Sequence, residues 1–261
     1  VSIMLIQIMP SLFVAHGAPT LATDVVKAED FKRWGLTLPK AKAILVFSAH
    51  WEGTELAFGE TTQHNKLIYD FGGFPDHLYD LQYSAPGAPF LTDRIKQLLN
   101  KRFKLVDTNR GLDHGVWVPF LHLWPDADVP VLQISMPRNL SDKALFELGR
   151  SLRVLRSEGV IIVGSGVLTH NLRKIIPNHS GAPLEWSAEF DQWVEETLLS
   201  KDYDALINWQ DKAPNATLNH PTTEHFRPLL VAAGAAENDA VDFPVTGFEW
   251  GSLSRRSVQF S

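Results

Sequence analysis

Apolar residues in this chain gather into four short, near-continuous runs at residues 11–15, 43–49, 129–135 and 159–163, each rich in Val, Ile, Leu or Phe. Runs of this kind predict β-strands, and their weak apolar–polar alternation predicts strands covered on both faces. Elsewhere the apolar positions recur at helical spacing. Phe90, Leu91, Ile95, Leu98 and Leu99 predict a helix over 90–99, and Leu145, Leu148, Leu152 and Leu155, behind the cap candidate Ser141, predict one over 143–155. Trp186, Phe190, Trp193, Val194 and Leu198 mark a helix over 185–199, a further one follows Pro221-Thr222-Thr223 over 224–236, and another is expected from Trp117. The tail, 243–260, alternates in places and predicts one or two edge strands. Strands alternating with helices imply an α/β fold, a single domain over 1–261 with a central, mostly parallel or mixed sheet flanked by helices. Two turn-rich loops, 71–75 and 85–89, are expected beside the sheet edge, where sites are commonly walled in.

Composition narrows the function. The chain has 261 residues, 44% hydrophobic and 21% charged, with a net charge of −6, which argues against a nucleic-acid footprint. It has no cysteine, so disulfides, iron–sulfur clusters and thiolate zinc sites are excluded. The apolar start, residues 1–10, lacks the basic segment of a leader and is interrupted by Pro10; no run approaches the ~20 residues of a membrane span. The expectation is a cytoplasmic protein with neither nucleic acid nor membrane as partner.

Ten histidines are present, and three stand out. His16 closes Phe13-Val14-Ala15-His16 and is followed by Gly17; His50 closes Leu45-Val46-Phe47-Ser48-Ala49-His50; His170 follows the run ending at Val163 through Gly164-Ser165-Gly166, read as a turn. In an open α/β sheet ligands sit outside the carboxyl ends of the strands, so three imidazoles delivered to that edge are the makings of a metal site. Gly164-Ser165-Gly166 is neither a hydrolase elbow, since Val stands at position 163, nor a phosphate loop, since no Gly-Lys-Ser/Thr follows. His114 lies in Leu112-Asp113-His114-Gly115, where Asp113 is a candidate to orient an imidazole. His64, His77, His122, His179 and His220 read as solvated or locally hydrogen-bonded, with His122 flanking the core. Glu224 and His225 open a predicted helix, where neighbours stand about 100° apart around the axis, so one of the two is expected to reach a metal. A Glu224 ligand would give two His plus one carboxylate, as in non-heme Fe(II) sites; a His225 ligand would give a histidine-rich site closer to zinc.

His16-Gly17-Ala18-Pro19, Ser48-Ala49-His50-Trp51, Tyr69-Asp70-Phe71-Gly72-Gly73-Phe74-Pro75, Leu112-Asp113-His114-Gly115-Val116-Trp117, Gly164-Ser165-Gly166, Thr169-His170-Asn171-Leu172, Thr223-Glu224-His225 and the ending Trp250-Gly251-Ser252-Leu253-Ser254-Arg255-Arg256-Ser257 resemble, in matching order, the class III extradiol ring-cleaving dioxygenases, nearest the DOPA 4,5-dioxygenase branch. The resemblance implies an enzyme that opens a catechol ring with O₂, active with Fe(II) and able to hold Zn(II). It implies His16 and His50 as metal ligands, His170 as the acid/base that in zinc-containing relatives also counts as a ligand, and His114 as a further active-site residue. For the third ligand it favours His225, with Glu224 the alternative. Phe71, Phe74 and Trp51 are candidates for the apolar wall around a ring, whereas Trp117 reads better as core. Two other readings stay open: a zinc hydrolase with Glu224 as general base, and a non-catalytic metal-binding relative. The physiological substrate and the oligomeric state are not legible.

Overall fold

The four apolar runs lie side by side as the parallel centre of an eight-stranded sheet in the computed structural model of the protein, which describes residues 7–99 and 102–261. In chain order the strands are β1 (Ser11–Ala15), β2 (Ala43–Gly53), β3 (Leu56–Phe58), β4 (Leu105–Asp107), β5 (Val131–Pro137), β6 (Val160–Gly166), β7 (Val241–Val245), β8 (Phe248–Glu249), β9 (Leu253–Ser254) and β10 (Ser257–Phe260). The sheet order is β4-β3-β5-β2-β6-β1-β10-β7, and β8 pairs with β9 as a separate hairpin. β5, β2, β6 and β1 run parallel, while β3 joins β5, β10 joins β1 and β7 joins β10 antiparallel. The helices are α1 (Val25–Thr37), α2 (Pro89–Leu99), α3 (His114–Leu123), α4 (Asp142–Leu152), α5 (Val154–Ser157), α6 (Glu185–Leu199), α7 (Tyr203–Ile207), α8 (Trp209–Lys212), α9 (Ala216–Asn219) and α10 (Arg227–Ala236).

Period-two geometry explains the continuous apolar runs. Phe13, Leu45 and Phe47 point into one core with residues of α2, α4, α6 and α10; Leu12, Val14, Ile44 and Val46 point into the other with Phe31 and Trp34 of α1 and Trp117 of α3. Both faces are covered, so both parities must be apolar. β6 is inserted between β1 and β2, and the crevice outside the carboxyl ends of these three strands receives their trailing residues. His16 follows β1, His50 lies in the last part of β2, and His170 comes four residues after β6.

Several expected boundaries move, each for a local reason. β2 runs to Gly53 because, after a register shift, Glu52 and Gly53 pair with Met136 and Pro137. Gly164-Ser165-Gly166 is strand, not turn. Its glycines serve close packing: a Cβ at Gly164 would collide with the Pro228 carbonyl, and one at Gly166 with the His225 carbonyl, which also accepts the Val167 N–H at 3.0 Å. The helix expected from Glu224 begins at Arg227; residues 224–226 form a turn closed by the Phe226 and Arg227 N–H groups on the Thr223 carbonyl, both at 3.2 Å. The helix expected over 143–155 is interrupted at Arg153, beyond which buried Arg156 donates to the Met9 and Ala235 carbonyls at 2.6 and 2.8 Å. α3 starts at His114 rather than Trp117, since the Asp113 carbonyl already accepts from Val116 and Trp117. α1 was not anticipated, although Asp24 caps it by accepting from Val26 and Lys27 and Ala28, Phe31 and Trp34 form its buried stripe. In the tail β7 is an edge strand, but β10 lies inside the sheet. The start of the chain, on which the leader reading rests, lies outside the described residues up to residue 6. Among the described residues no helix is long and apolar enough to cross a membrane.

Gly166→Ala tests the close packing. Urea unfolding should show a loss of about 1–3 kcal/mol, the cost of overpacking a filled contact, whereas Gly72→Ala, where a Cβ meets nothing within 4 Å, should stay within about 0.5 kcal/mol.

Candidate metal centre

His16, His50 and His225 converge, with one nitrogen of each within 4.8 Å of the others. The hydrogen bonds on the far side of each ring say which nitrogen faces inward. Ser165 Oγ donates its one proton to the Gly115 carbonyl, so it can only accept from His16 Nδ1, 3.0 Å away. His225 Nδ1 lies 3.0 Å from Glu224 Oε1, and His50 Nδ1 lies 3.3 Å from Asp70 Oδ2. With Nδ1–H held outward by acceptors, all three Nε2 atoms carry lone pairs toward the centre. His16 and His50 Nε2 are 3.2 Å apart, and buried His225 Nε2 has no hydrogen-bond partner. Facing lone pairs repel, and an orphaned buried acceptor costs about 1–3 kcal/mol; a cation shared by the three nitrogens resolves both. Imidazole triplets whose other nitrogen is bonded to carboxylate or hydroxyl are the donor set of a divalent metal. The residues fit such an ion.

Protonation is suppressed here, as a metal site requires. Burial, then the neighbouring imidazoles, push His16 and His225 well below the ordinary histidine value; burial and then His114 lower His50. His170 is brought to about 4, mainly by burial against the opposing pull of Glu224. It stacks on His225 with centroids 3.5 Å apart and planes within 8°. Its backbone N–H is held by the Asn219 carbonyl at 3.0 Å, and the preceding Leu168 carbonyl accepts from His220 Nε2 at 2.6 Å. His170 also belongs to a second group of possible donors with Glu224 and His225. His225 reaches the centre with His16 and His50, whereas Glu224 groups only with His170 and His225. Glu224 and His225 sit in a turn rather than a helix, so the 100° argument does not apply, and Glu224 bonds the far nitrogen of His225.

His114 joins from α3, with its ring centroid 4.1 Å from that of His50. Asp70 fixes it twice, accepting from its backbone N–H at 3.1 Å and from Nδ1 at 2.7 Å. One carboxylate thus bridges His50 and His114. Burial opposes the charge of Asp70, but the hydrogen bonds from His114 and the electrostatic attraction of His114 and His50 hold it at about 2. No role for Asp70 was drawn from the sequence; a single carboxylate inside an aromatic loop carries no spacing signal. Asp113, expected to orient an imidazole, instead accepts from Ser48, Gln133 and Arg110 at 2.8, 2.5 and 3.0 Å. Ser165 serves as the Nδ1 acceptor for His16.

The imidazoles open into a largely apolar cavity of about 440 Å³. Phe71 and Phe74 line it as expected, together with Leu172 and Trp250; Trp51 and Trp117 do not. Trp51 lies under the Arg110 guanidinium, and Trp117 is core. Trp250 turns the β8–β9 hairpin at φ 48°, a left-handed conformation unusual for an aromatic residue, and its carbonyl accepts the Ile176 N–H at 2.9 Å. Of the remaining histidines, His64, His122 and His220 are buried rather than solvated, each with Nε2 on a carbonyl distant in sequence, those of Val131, Leu21 and Leu168. His179 bonds locally to the Ala182 carbonyl.

Residues 11–260 match the family described as the catalytic LigB subunit of aromatic ring-opening dioxygenase. The chain is 42% identical over 264 residues to the 4,5-DOPA dioxygenase extradiol of Beta vulgaris, covering 98% of this chain and 97% of that protein. It is 39% identical over 259 residues to the protein of the same name from Escherichia coli K12, covering 96% and 94%. A crystal structure of an uncharacterised Escherichia coli K12 protein superposes with a TM-score of 0.82 at 33% identity, over 97% of this chain and all of that one.

Two outcomes follow from this geometry. Asp70→Asn should weaken metal affinity about 10–100-fold, the usual cost of losing a partner of a ligating histidine, read by chelator competition. The metal-free protein should lose stability on acidification. Burial lowers His220 from the ordinary 6.5 to about 4, so the unfolded state takes up its proton first as the pH falls. The stability is intact above 6.5 and declines down to about 4, by about 3 kcal/mol for this one group. Urea midpoints between pH 7.5 and 4 measure it, and His220→Gln should flatten the slope.

Proposed function

The chain belongs to the LigB family of aromatic ring-opening dioxygenases, whose extradiol chemistry it shares, and on that premise we propose that all of it acts as one catalytic domain that opens the ring of a DOPA-like catechol with O₂. The observation that carries this reading is the convergence of three inward-facing Nε2 atoms beside two further imidazoles on an apolar cavity wide enough for one aromatic ring. His16, His50 and His225 are the proposed ligands, Fe(II) the proposed working metal, and Zn(II) an ion the same nitrogens would hold. When bound, the metal supplies Lewis acidity toward the catechol oxygens and redox chemistry toward O₂.

The rest is the work of side chains. His170, kept neutral by burial, accepts a proton from a catechol hydroxyl and later returns one to an oxygen of the opened ring. His114, whose Nδ1–H is committed to Asp70, presents Nε2 to the same space as an acceptor for a proton or hydrogen bond from the substrate. Asp70 positions both His50 and His114 and, held at about 2, stays ionised throughout the neutral range. Phe71, Phe74 and Trp250 confine the ring and exclude water, and holding the reactants together removes much of the entropic barrier. The relatives with the highest identities quoted above are named for DOPA, which motivates that substrate.

The test is anaerobic reconstitution of metal-free protein with Fe(II) or Zn(II), followed by DOPA and air. A yellow ring-opened product should form with Fe(II) only and vanish in His16→Ala. No product from DOPA or simple catechols at full metal loading would refute ring opening. His170→Ala should retain its metal by elemental analysis while turnover falls about 10²–10⁴-fold, the range for loss of a general acid/base; loss of the metal instead would make His170 a ligand.

A further inference from the structure

Away from the imidazoles, the β8–β9 hairpin and the residue after it bring two opposite charges to the cavity wall, Glu249 and Arg255. Neither is saturated by the protein. Glu249 is only 7% exposed; its Oε1 lies 3.1 Å from Lys27 Nζ and 3.9 Å from Arg255 Nε, while its Oε2 accepts no hydrogen bond among the described residues. Arg255 directs Nη2 at α1, donating to the Lys27 carbonyl at 2.9 Å and to Asp30 at 3.2 Å, while Nη1 has no partner among the described residues. Neither Oε2 nor Nη1 is sealed from solvent. α1 therefore clamps one side of each group and leaves the other side free.

A half-engaged carboxylate beside a half-engaged guanidinium is matched by a ligand with its own adjacent opposite charges. A lone carboxylate on the ligand would face Glu249 as well as Arg255, and a lone ammonium the reverse. An uncharged group would desolvate both without replacing their hydrogen bonds. We propose that Glu249 and Arg255 are specificity-determining residues that hold the α-ammonium and α-carboxylate of an amino-acid catechol, with the diol directed to the imidazoles. This rests on the ring-opening reading above and adds to it the means of selecting the substrate.

The experiment compares four catechols on one protein: DOPA; dopamine, which lacks the carboxylate; 3-(3,4-dihydroxyphenyl)propanoate, which lacks the ammonium; and 4-methylcatechol, which lacks both. The Fe(II) protein should favour DOPA over each of the others in kcat/KM by about tenfold or more, the worth of one charge-assisted hydrogen bond. Arg255→Gln should bring the DOPA-to-dopamine ratio close to 1, with Arg255→Lys restoring part of it, and Glu249→Gln should do the same for the DOPA-to-propanoate ratio. Ratios within one preparation cancel differences in folding and metal loading. Anaerobic calorimetry on the Zn(II) protein should give the same order of binding. Equal kcat/KM across the series in the unaltered protein, or variants that slow all four catechols alike, would overturn the proposal. If the Fe(II) protein opens none of the four, 4-methylcatechol included, ring opening itself fails; the calorimetric order then decides the head-group assignment alone, and equal affinities overturn it.

Discussion

An imidazole has two nitrogens, and only one can face a metal as a lone pair; the other must be given to an acceptor. In this protein that requirement is met three times, by Ser165 for His16, Asp70 for His50 and Glu224 for His225. The three acceptors come from strand β6, from the aromatic loop after β3 and from the turn before α10, so the centre exists only when distant parts of the chain are packed together. Ser165 is itself kept in the accepting state by the Gly115 carbonyl, so even the proton positions are set by the fold.

The same arrangement explains the electrostatics. Burial in one crevice disfavours protonation of His16, His50, His170 and His225, and each proton that did arrive would repel the next. The acidic groups around them are distributed rather than concentrated: Asp70 bridges two rings, Glu224 serves one, and Asp113 is occupied by Ser48, Gln133 and Arg110. The centre therefore keeps His16, His50, His170 and His225 neutral and Asp70 ionised.

The fold class and the principal histidines were legible because both are written in short-range pattern. Apolar runs too continuous for a half-exposed sheet announced β1, β2, β5 and β6, and histidines just beyond or at the ends of such runs had to reach the same sheet edge. What escaped was written in long-range contact. Gly164 and Gly166 look like a turn in sequence, and only the carbonyls of Pro228 and His225 above them show why strand residues there lack side chains. Asp70 lies in a quoted motif but carries no readable role there, because its partners lie 20 and 44 residues away on other elements. Glu224 and His225 were misread as helical because Pro228 lets the helix start later than the apolar pattern does. His64 and His220 sit in polar surroundings in the sequence and His122 in an apolar one, yet each closes a buried backbone carbonyl.

Trp250 carries a consequence for how the cavity can change over generations. A bulky residue in the left-handed region is held there at a cost of order 1 kcal/mol or more, whereas Gly and Asn occupy it readily. Replacement by either would relax the hairpin and at the same time remove an aromatic wall from the cavity. Stability and ligand confinement are thus coupled with opposite signs at one codon. The strained backbone is kept together with the wall it supports, and a substitution that relieves the one removes the other.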